Sequence, residues 1–357
     1  MTDTQRGRAA RERSEQERET QPGGVSVVVF GAGATGARIV RMLAASARVG
    51  SVEVRDTDST RLQEASSSFD DTVVLGRGSD VPDSADIVVV ATAAGTQAAV
   101  ALSAVRVAAA VVTTTNEIIE TRDLLALDQQ ARQHGVPLVV GAGFMPGLTC
   151  LLARAGAAEF DSIDEIHVAK VGTGGPACAR QHHRALSSLA IDWRDGRWTR
   201  RPGGSGRELC WFPDPVAGRD CYRGALPDAL LLVPAFPGVD RVTARMAATR
   251  RDRLTAPLPM MRRPHPEGGV GAVRVELRGW RDSGRHVVVL GAQARPAEGA
   301  AIVAASTALH LIDHRPEPGA AGLASIASPD GLLRQVAARR LRPCKFEGFA
   351  LSRDFAV

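Results

Sequence analysis

The chain has 357 residues, 44% of them hydrophobic and 23% charged, and carries a net charge of +5 at neutral pH. That allows a core of ordinary size spread over two lobes, and no apolar run approaches the roughly 18 residues of a membrane span. The positive charge is scattered arginine, with Lys170 and Lys345 the only lysines; without a basic stripe interleaved with aromatics it argues against a nucleic-acid partner.

Residues 1–24 are almost devoid of apolar side chains and are expected to form a disordered tail, because they bury too little surface to offset the entropy of ordering. They also lack the apolar segment of a secretory signal, so the location expected is cytoplasmic. Val25–Phe30 is a continuous apolar run, the pattern of a strand buried on both faces. A glycine loop follows. Ile39, Val40, Leu43, Ala44 and Ala47 then recur at helical spacing. Further strands are predicted at 51–55, 72–75, 86–91, 109–113 and 136–140, with helices near 96–107 and 121–134. Strands alternating with helices predict an α/β lobe over 25–145, a doubly wound parallel sheet of the Rossmann type.

After Gly141 the pattern changes. Pro146 is suited to the first turn of a helix carrying Leu148, Leu151, Leu152 and Ala155. Alternation of period two then takes over. Ile191–Thr199 reads as a hairpin around Asp195-Gly196, which sets Trp193 across from Trp198. Residues 239–248, 270–278 and 285–293 alternate likewise and predict an antiparallel sheet with one solvated face. The stretches 200–238 and 249–269 read as Pro- and Gly-rich loops. Together these make 146–295 an α+β region, with Trp193 and Trp198 on the exposed sheet face as the contact of a homodimer. Residues 296–357 read as an apolar helix through Ile302, Ala305, Leu309 and Ile312, a Gly- and Pro-rich connector and a shorter helix near 329–340. The five cysteines form no C-x-x-C pair; free thiols are expected, and no metal site.

The loop Gly31-Ala32-Gly33-Ala34-Thr35-Gly36 matches G-x-G-x-x-G and sits between a strand and a helix, the context that gives the motif meaning. Gly31 permits the tight turn, Gly33 lets a pyrophosphate reach the backbone, and Gly36 lets helix and strand pack closely. The helix N-terminus that includes Ala34 and Thr35 offers its amides to phosphate. Asp56, twenty residues beyond Gly36, is placed to accept from ribose hydroxyls. It disfavours a 2′-phosphate and so favours NAD, but Arg55 and Arg61 beside it keep NADP open. Thr92 and Ala93, and Asn116, end later strands where such sheets bind ligands, and are expected near the nicotinamide.

The glycine loop, the strand Ala-Asp-Ile-Val-Val-Val-Ala-Thr over 85–92 and the segment Gly141–Leu148 together resemble the saccharopine dehydrogenase-like family of NAD(P)-dependent oxidoreductases. The resemblance runs from Val25 to about Gly348 and is strongest over the first 155 residues. It implies that 146–295 is an inserted α+β domain for substrate and dimerisation and that 296–357 return to the first lobe as helices. It implies hydride transfer at a carbon–nitrogen bond, an imine or a secondary amine, with carbonyl chemistry as a variant. The substrate is expected to be small and to bear a carboxylate. The segment departs from the better-known branches at Met145, and 172–265 resembles none of them.

Reduction of an imine also needs a proton donor. Lys170 shares a strand face with Ile166 and Val168 and is one candidate. His182 and His183, at the start of a helix, are the others. Arg219 lies in a proline- and aromatic-rich stretch and is a candidate clamp for a carboxylate; Phe144 is expected in the same pocket. Two rival readings stand beside the enzyme: a catalytically inactive NAD(P)-binding sensor or scaffold, and a non-redox synthase that uses NAD internally.

Overall fold

The computed structural model describes residues 24–70, 72–260, 263–326, 329–347 and 350–354. The tail expected over 1–24 lies, except for Gly24, outside them.

The first lobe is built from β1 (Val25–Phe30), α1 (Gly36–Ala44), β2 (Val49–Asp56), α2 (Ser59–Ser66), β3 (Val73–Arg77), β4 (Ile87–Val90), α3 (Gln97–Arg106), β5 (Ala110–Thr113), α4 (Ile118–Leu125), α5 (Asp128–His134) and β6 (Pro137–Val140). The single helix expected over 121–134 is two, α4 and α5. Every residue of β4, β5 and β6 is buried, as β-branched runs covered on both faces require. Ile39, Val40 and Leu43 of α1 face that core. The strand order β6-β5-β4-β1-β2-β3, all parallel, reverses direction between β1 and β4. That switch point opens a crevice at the strands' carboxyl ends.

The turn 141–147 leaves this lobe. Pro146 lies within the turn, and α6 (Leu148–Gly156) begins only after Gly147 at φ 123°. Proline's fixed φ suits a tight turn as well as a first helical turn. A side chain at 147 would come within 2.3 Å of the Gly143 backbone.

The second lobe contains β7 (Ser162–Val171), α7 (Pro176–Ala185), β8 (Leu189–Arg194), β9 (Arg197–Pro202), β10 (Glu208–Phe212), β11 (Ala217–Arg223), α8 (Asp228–Leu232), β12 (Arg241–Ala247), α9 (Arg250–Thr255), β13 (Gly271–Arg281) and β14 (Gly284–Ala294). Its described pairings are antiparallel except β7–β12. One face carries Ile166, Val168 and Lys170 of β7, flanked by Val242, Ala244 and Met246 and by Val273, Val275 and Leu277; α6 packs against β13 and β14.

Three expectations for this lobe are corrected. The stretch 200–238 holds two strands and a helix. In β10, Cys210 and Phe212 are buried while Leu209 and Trp211 are exposed, so the alternation was present but had apolar residues on both faces. The outer face of the sheet is not simply solvated. Ala169, Val171, Cys210, Phe212, Val216, Cys221 and Ala272 form a small second core there, beside a buried Glu276 held between Arg274 and Arg278. The β8–β9 turn does pair Trp193 with Trp198, ring centroids 4.9 Å apart. Only Trp198 is well exposed, because Trp193 packs on the core and donates its indole N–H to Val239 O.

The remaining chain is α10 (Pro296–Asp313), β15 (Gly319–Gly322), α11 (Pro329–Ala338), β16 (Pro343–Glu347) and β17 (Ala350–Asp354). It divides between the lobes rather than returning to the first as helices alone. Helix α10 packs on α1, and β15 pairs in parallel with β6 as a seventh strand of the first sheet. β16 joins the second sheet beside β14, and β17 pairs with β16. Strand β15 has the sequence Gly-Ala-Ala-Gly, which carries no β-propensity to read. Among the described residues no helix is long and apolar enough to cross a membrane.

Candidate active site

A cleft of about 820 Å³ lies between the lobes, over the switch point of the first sheet. That volume suits a small-molecule or cofactor site, typically ~300–1,000 Å³. Its floor is the loop 31–36. Gly31 has φ 102°, and a Cβ there would approach Ala91 O to 2.6 Å; one at Gly36 would fall 1.7 Å from Gly31 O. A Cβ on Gly33 would meet nothing within 4 Å, so the loop presents bare backbone to the cleft. This is a cradle of the kind a pyrophosphate fills, with the N-terminus of α1 behind it.

Asp56 closes one end. Its carboxylate accepts from Ala32 N at 2.8 Å and Asp58 N at 2.9 Å, which ties the end of β2 to the glycine loop. Arg61 Nη1 lies 3.6 Å from it, and the same guanidinium pairs with Asp58 at 3.1 Å. Arg55 is turned to Glu53 and to the carbonyls of Arg77 and Asp80. The wall opposite β1 comes from Thr92–Gln97 after β4 and from Thr114 and Asn116 after β5.

The second lobe supplies the other wall. Lys170 is buried along its stem, as its neighbours Met246 and Val273 on the flanking strands require, and its ammonium opens on the cleft. The turn Gly172–Gly175 and helix α7 follow, with Cys178, Arg180, Gln181 and Arg184 lining the cavity. Gln181 donates to Asn116 O at 2.8 Å, fastening α7 to the end of β5. Phe144 and Met145 of the connecting turn, and Pro296, Ala297 and Ala300 of α10, complete the lining. Glu267 bridges the lobes: it pairs with Arg38 of α1 at 2.9 Å, while Arg38 also donates to Ala34 O at 2.6 Å. That guanidinium holds the Glu267 carboxyl below the usual range.

Of the residues expected here, Gly31, Gly33, Ala34, Thr35, Asp56, Thr92, Ala93, Asn116, Phe144 and Lys170 line the cleft, and Gly36 packs directly beneath the loop. Three do not line it. Arg219 is exposed on β11 and turns to Gly218 O, because the strand pairing directs it away. His183 is engaged by Leu258 O at 2.9 Å. His182 is half-buried with its Nδ1 enclosed, and it does not line the cleft; burial, and then the nearby Lys170 charge, push its pKa down to about 3. Of the three candidate proton donors, only Lys170 therefore lines the cleft. Arg180 and Arg184 were missed, although their i, i+4 spacing puts them on one face of α7. Neither makes an ion pair among the described residues. Also unforeseen was Asp228 of α8. It is fully buried, accepts from Thr149 Oγ1 at 2.8 Å, and is pushed up to about 6 by burial. Among the described residues no cluster of His, Cys, Asp and Glu is arranged to hold a metal.

No family model matches the sequence, and no curated protein matches it. Solved structures do. The chain is similar to apo saccharopine dehydrogenase (L-Glu forming) from Saccharomyces cerevisiae, with a TM-score of 0.65 at 14% identity, over 91% of this chain and 100% of that one. It has a saccharopine dehydrogenase-like fold. A second neighbour is the DAP dehydrogenase of C. glutamicum in complex with DAP, with a TM-score of 0.49 at 14% identity, over 89% of this chain and 100% of that one. In the saccharopine dehydrogenase-like frame both lobes, and the cleft between them, belong to one continuous fold.

Proposed function

We propose that the protein is an NAD(P)-dependent oxidoreductase that transfers hydride at a carbon–nitrogen or carbonyl centre of a small, carboxylate-bearing substrate. One observation carries this reading: a bare-backbone glycine loop, a carboxylate at one end of it and the largely buried Lys170 on the facing lobe line a single cleft. When bound there, the nicotinamide cofactor supplies the hydride.

The chain's own residues do the rest. The loop and the N-terminus of α1 hold the pyrophosphate. Asp56, already oriented by Ala32 N–H, accepts from the ribose hydroxyls, and its charge repels a 2′-phosphate, which favours NAD. Lys170 holds the proton delivered to the substrate as hydride arrives. Arg180 and Arg184 take the clamping role once expected of Arg219, each able to grip a carboxylate through two parallel N–H bonds.

The test is direct. Quenching and enhancement of NADH and NADPH fluorescence report binding, and absorbance at the reduced nicotinamide band reports turnover on a panel of imines, 2-oxo acids and aldehydes. Binding of NADH with turnover of a carboxylate-bearing member is the expected result. Binding with no turnover across the panel would favour the inactive sensor instead.

A further inference from the structure

The wall of the cleft beyond the glycine loop is formed by two neighbouring turns that share no backbone hydrogen bond among the described residues. They are Thr92–Thr96, after β4, and Thr114–Glu117, after β5. Behind them lies Glu120 of α4, only 3% exposed. One carboxylate oxygen accepts from Gly95 N at 2.9 Å and from Gln97 N at 2.7 Å. The other accepts from Thr115 Oγ1 at 3.2 Å. Gln97, itself 2% exposed, repeats the bridge: its amide nitrogen donates to Thr92 O at 2.9 Å and its oxygen accepts from Thr114 N at 3.2 Å. Two buried side chains thus staple two turns that no regular hydrogen-bond ladder joins.

Glu120 makes no ion pair among the described residues, so N–H and O–H donors alone compensate its charge. Burial pushes its pKa up, and those donors pull it back. A buried carboxylate is costly unless every lone pair is used. Capping α3 would need only one such bond and could be done by a serine or aspartate at the cap itself. The full donor set, drawn from both turns, is what a device for setting their separation requires.

We propose that Glu120 is a positioning residue for the nicotinamide half of the cofactor, acting through the turns at 92–97 and 114–116. The inference rests on the cofactor assignment above. Glu120 does not itself line the cleft. The adenosine and pyrophosphate half is held by Asp56 and the glycine loop, which share no hydrogen bond with Glu120, so the two halves of the ligand respond differently to its loss.

The experiment compares the dissociation constants of NADH and of ADP-ribose, which lacks the nicotinamide, in the full-length protein and in Glu120→Gln. The amide puts an N–H₂ where an acceptor stood, facing donors from one turn or the other. NADH binding should weaken about tenfold, the effect of one lost charge-assisted bond, while ADP-ribose binding stays within twofold. Equal weakening of both ligands, or of neither, overturns the proposal. Thr115→Val breaks only the Thr115 arm with little change of shape and serves if Glu120→Gln does not fold. It should weaken NADH selectively by about threefold, and an unchanged ratio overturns the proposal as well. Wild-type protein that binds neither NADH nor ADP-ribose would remove the cofactor assignment and this inference with it; wild-type binding with an unselective variant removes the inference alone.

Discussion

The two walls of the cleft are made of different material. The first lobe meets the ligand with backbone: amides and glycines of the loop 31–36, fixed by the strand beneath and by Asp56. The second lobe meets it with long side chains, Lys170, Arg180 and Arg184, mounted on a strand and a helix. A backbone-built wall tolerates almost no substitution and says little about which molecule reacts. A side-chain wall can be rebuilt residue by residue, and under the proposed function that wall sets the choice of substrate.

The sharpest way to break this contrast is at Gly36. Gly36→Ala puts a methyl 1.7 Å from Gly31 O, against unyielding backbone. Overpacking costs about 1–3 kcal/mol or more, so we expect a lowered melting temperature and loss of measurable NADH binding by fluorescence titration. On the other wall, Lys170→Met keeps the buried stem and removes the proton. Turnover should fall roughly a hundred- to ten-thousand-fold with NADH affinity and the far-ultraviolet circular dichroism spectrum unchanged; an unaltered rate would remove Lys170 from the chemistry.

Asp228 tests what stands behind that lysine. Its carboxyl ionises less readily in the fold than in the unfolded chain. The native state therefore holds a proton the unfolded state has lost, and stability falls as pH rises from about 4 to about 6. Asp228→Asn should abolish this slope. In urea titrations the variant should match the parent at pH 4 and exceed it above pH 6 by about 3 kcal/mol at most. A variant less stable than its parent at pH 8 would show that the carboxylate is needed ionised.

Smaller still, Asp56→Asn should weaken NADH about tenfold, the worth of a charge-assisted bond at about 1.5 kcal/mol, and narrow the gap between NADH and NADPH. Arg219→Ala should leave both affinity and turnover unchanged, since its side chain is exposed on β11; any loss of substrate affinity would return it to the site.

The same contrast explains what could be read beforehand. β1, the loop and α1 are local: the spacing of three glycines, the apolar run before them and the helical face after them all lie within 20 residues. Asp56 follows at a distance dictated by one helix and one strand. The Trp193–Trp198 register was equally local, set by a two-residue turn. Arg180 and Arg184 look like any exposed i, i+4 pair until α7 is docked on the end of β5 by Gln181. His182 looked reactive because imidazole titrates near neutrality, but the groups that set its surroundings, Ala247 at the end of β12 and Asp252 after it, lie more than 60 residues away. The strands β10 and β15 hid for simpler reasons, apolar residues on both faces in the first and no side chains to speak of in the second.

Strand β15 has a further consequence. By pairing with Val140 and its neighbours, a four-residue segment near position 320 covers the edge of a sheet whose other strands are complete by residue 140. An isolated fragment of the first lobe would leave β6, apolar throughout, with an open ladder of amides and carbonyls, the surface that recruits other strands into aggregates. The first lobe is thus continuous in space but not in sequence: expressed by itself it should be sticky, and a soluble version would have to carry the late strand along, joined by a new loop.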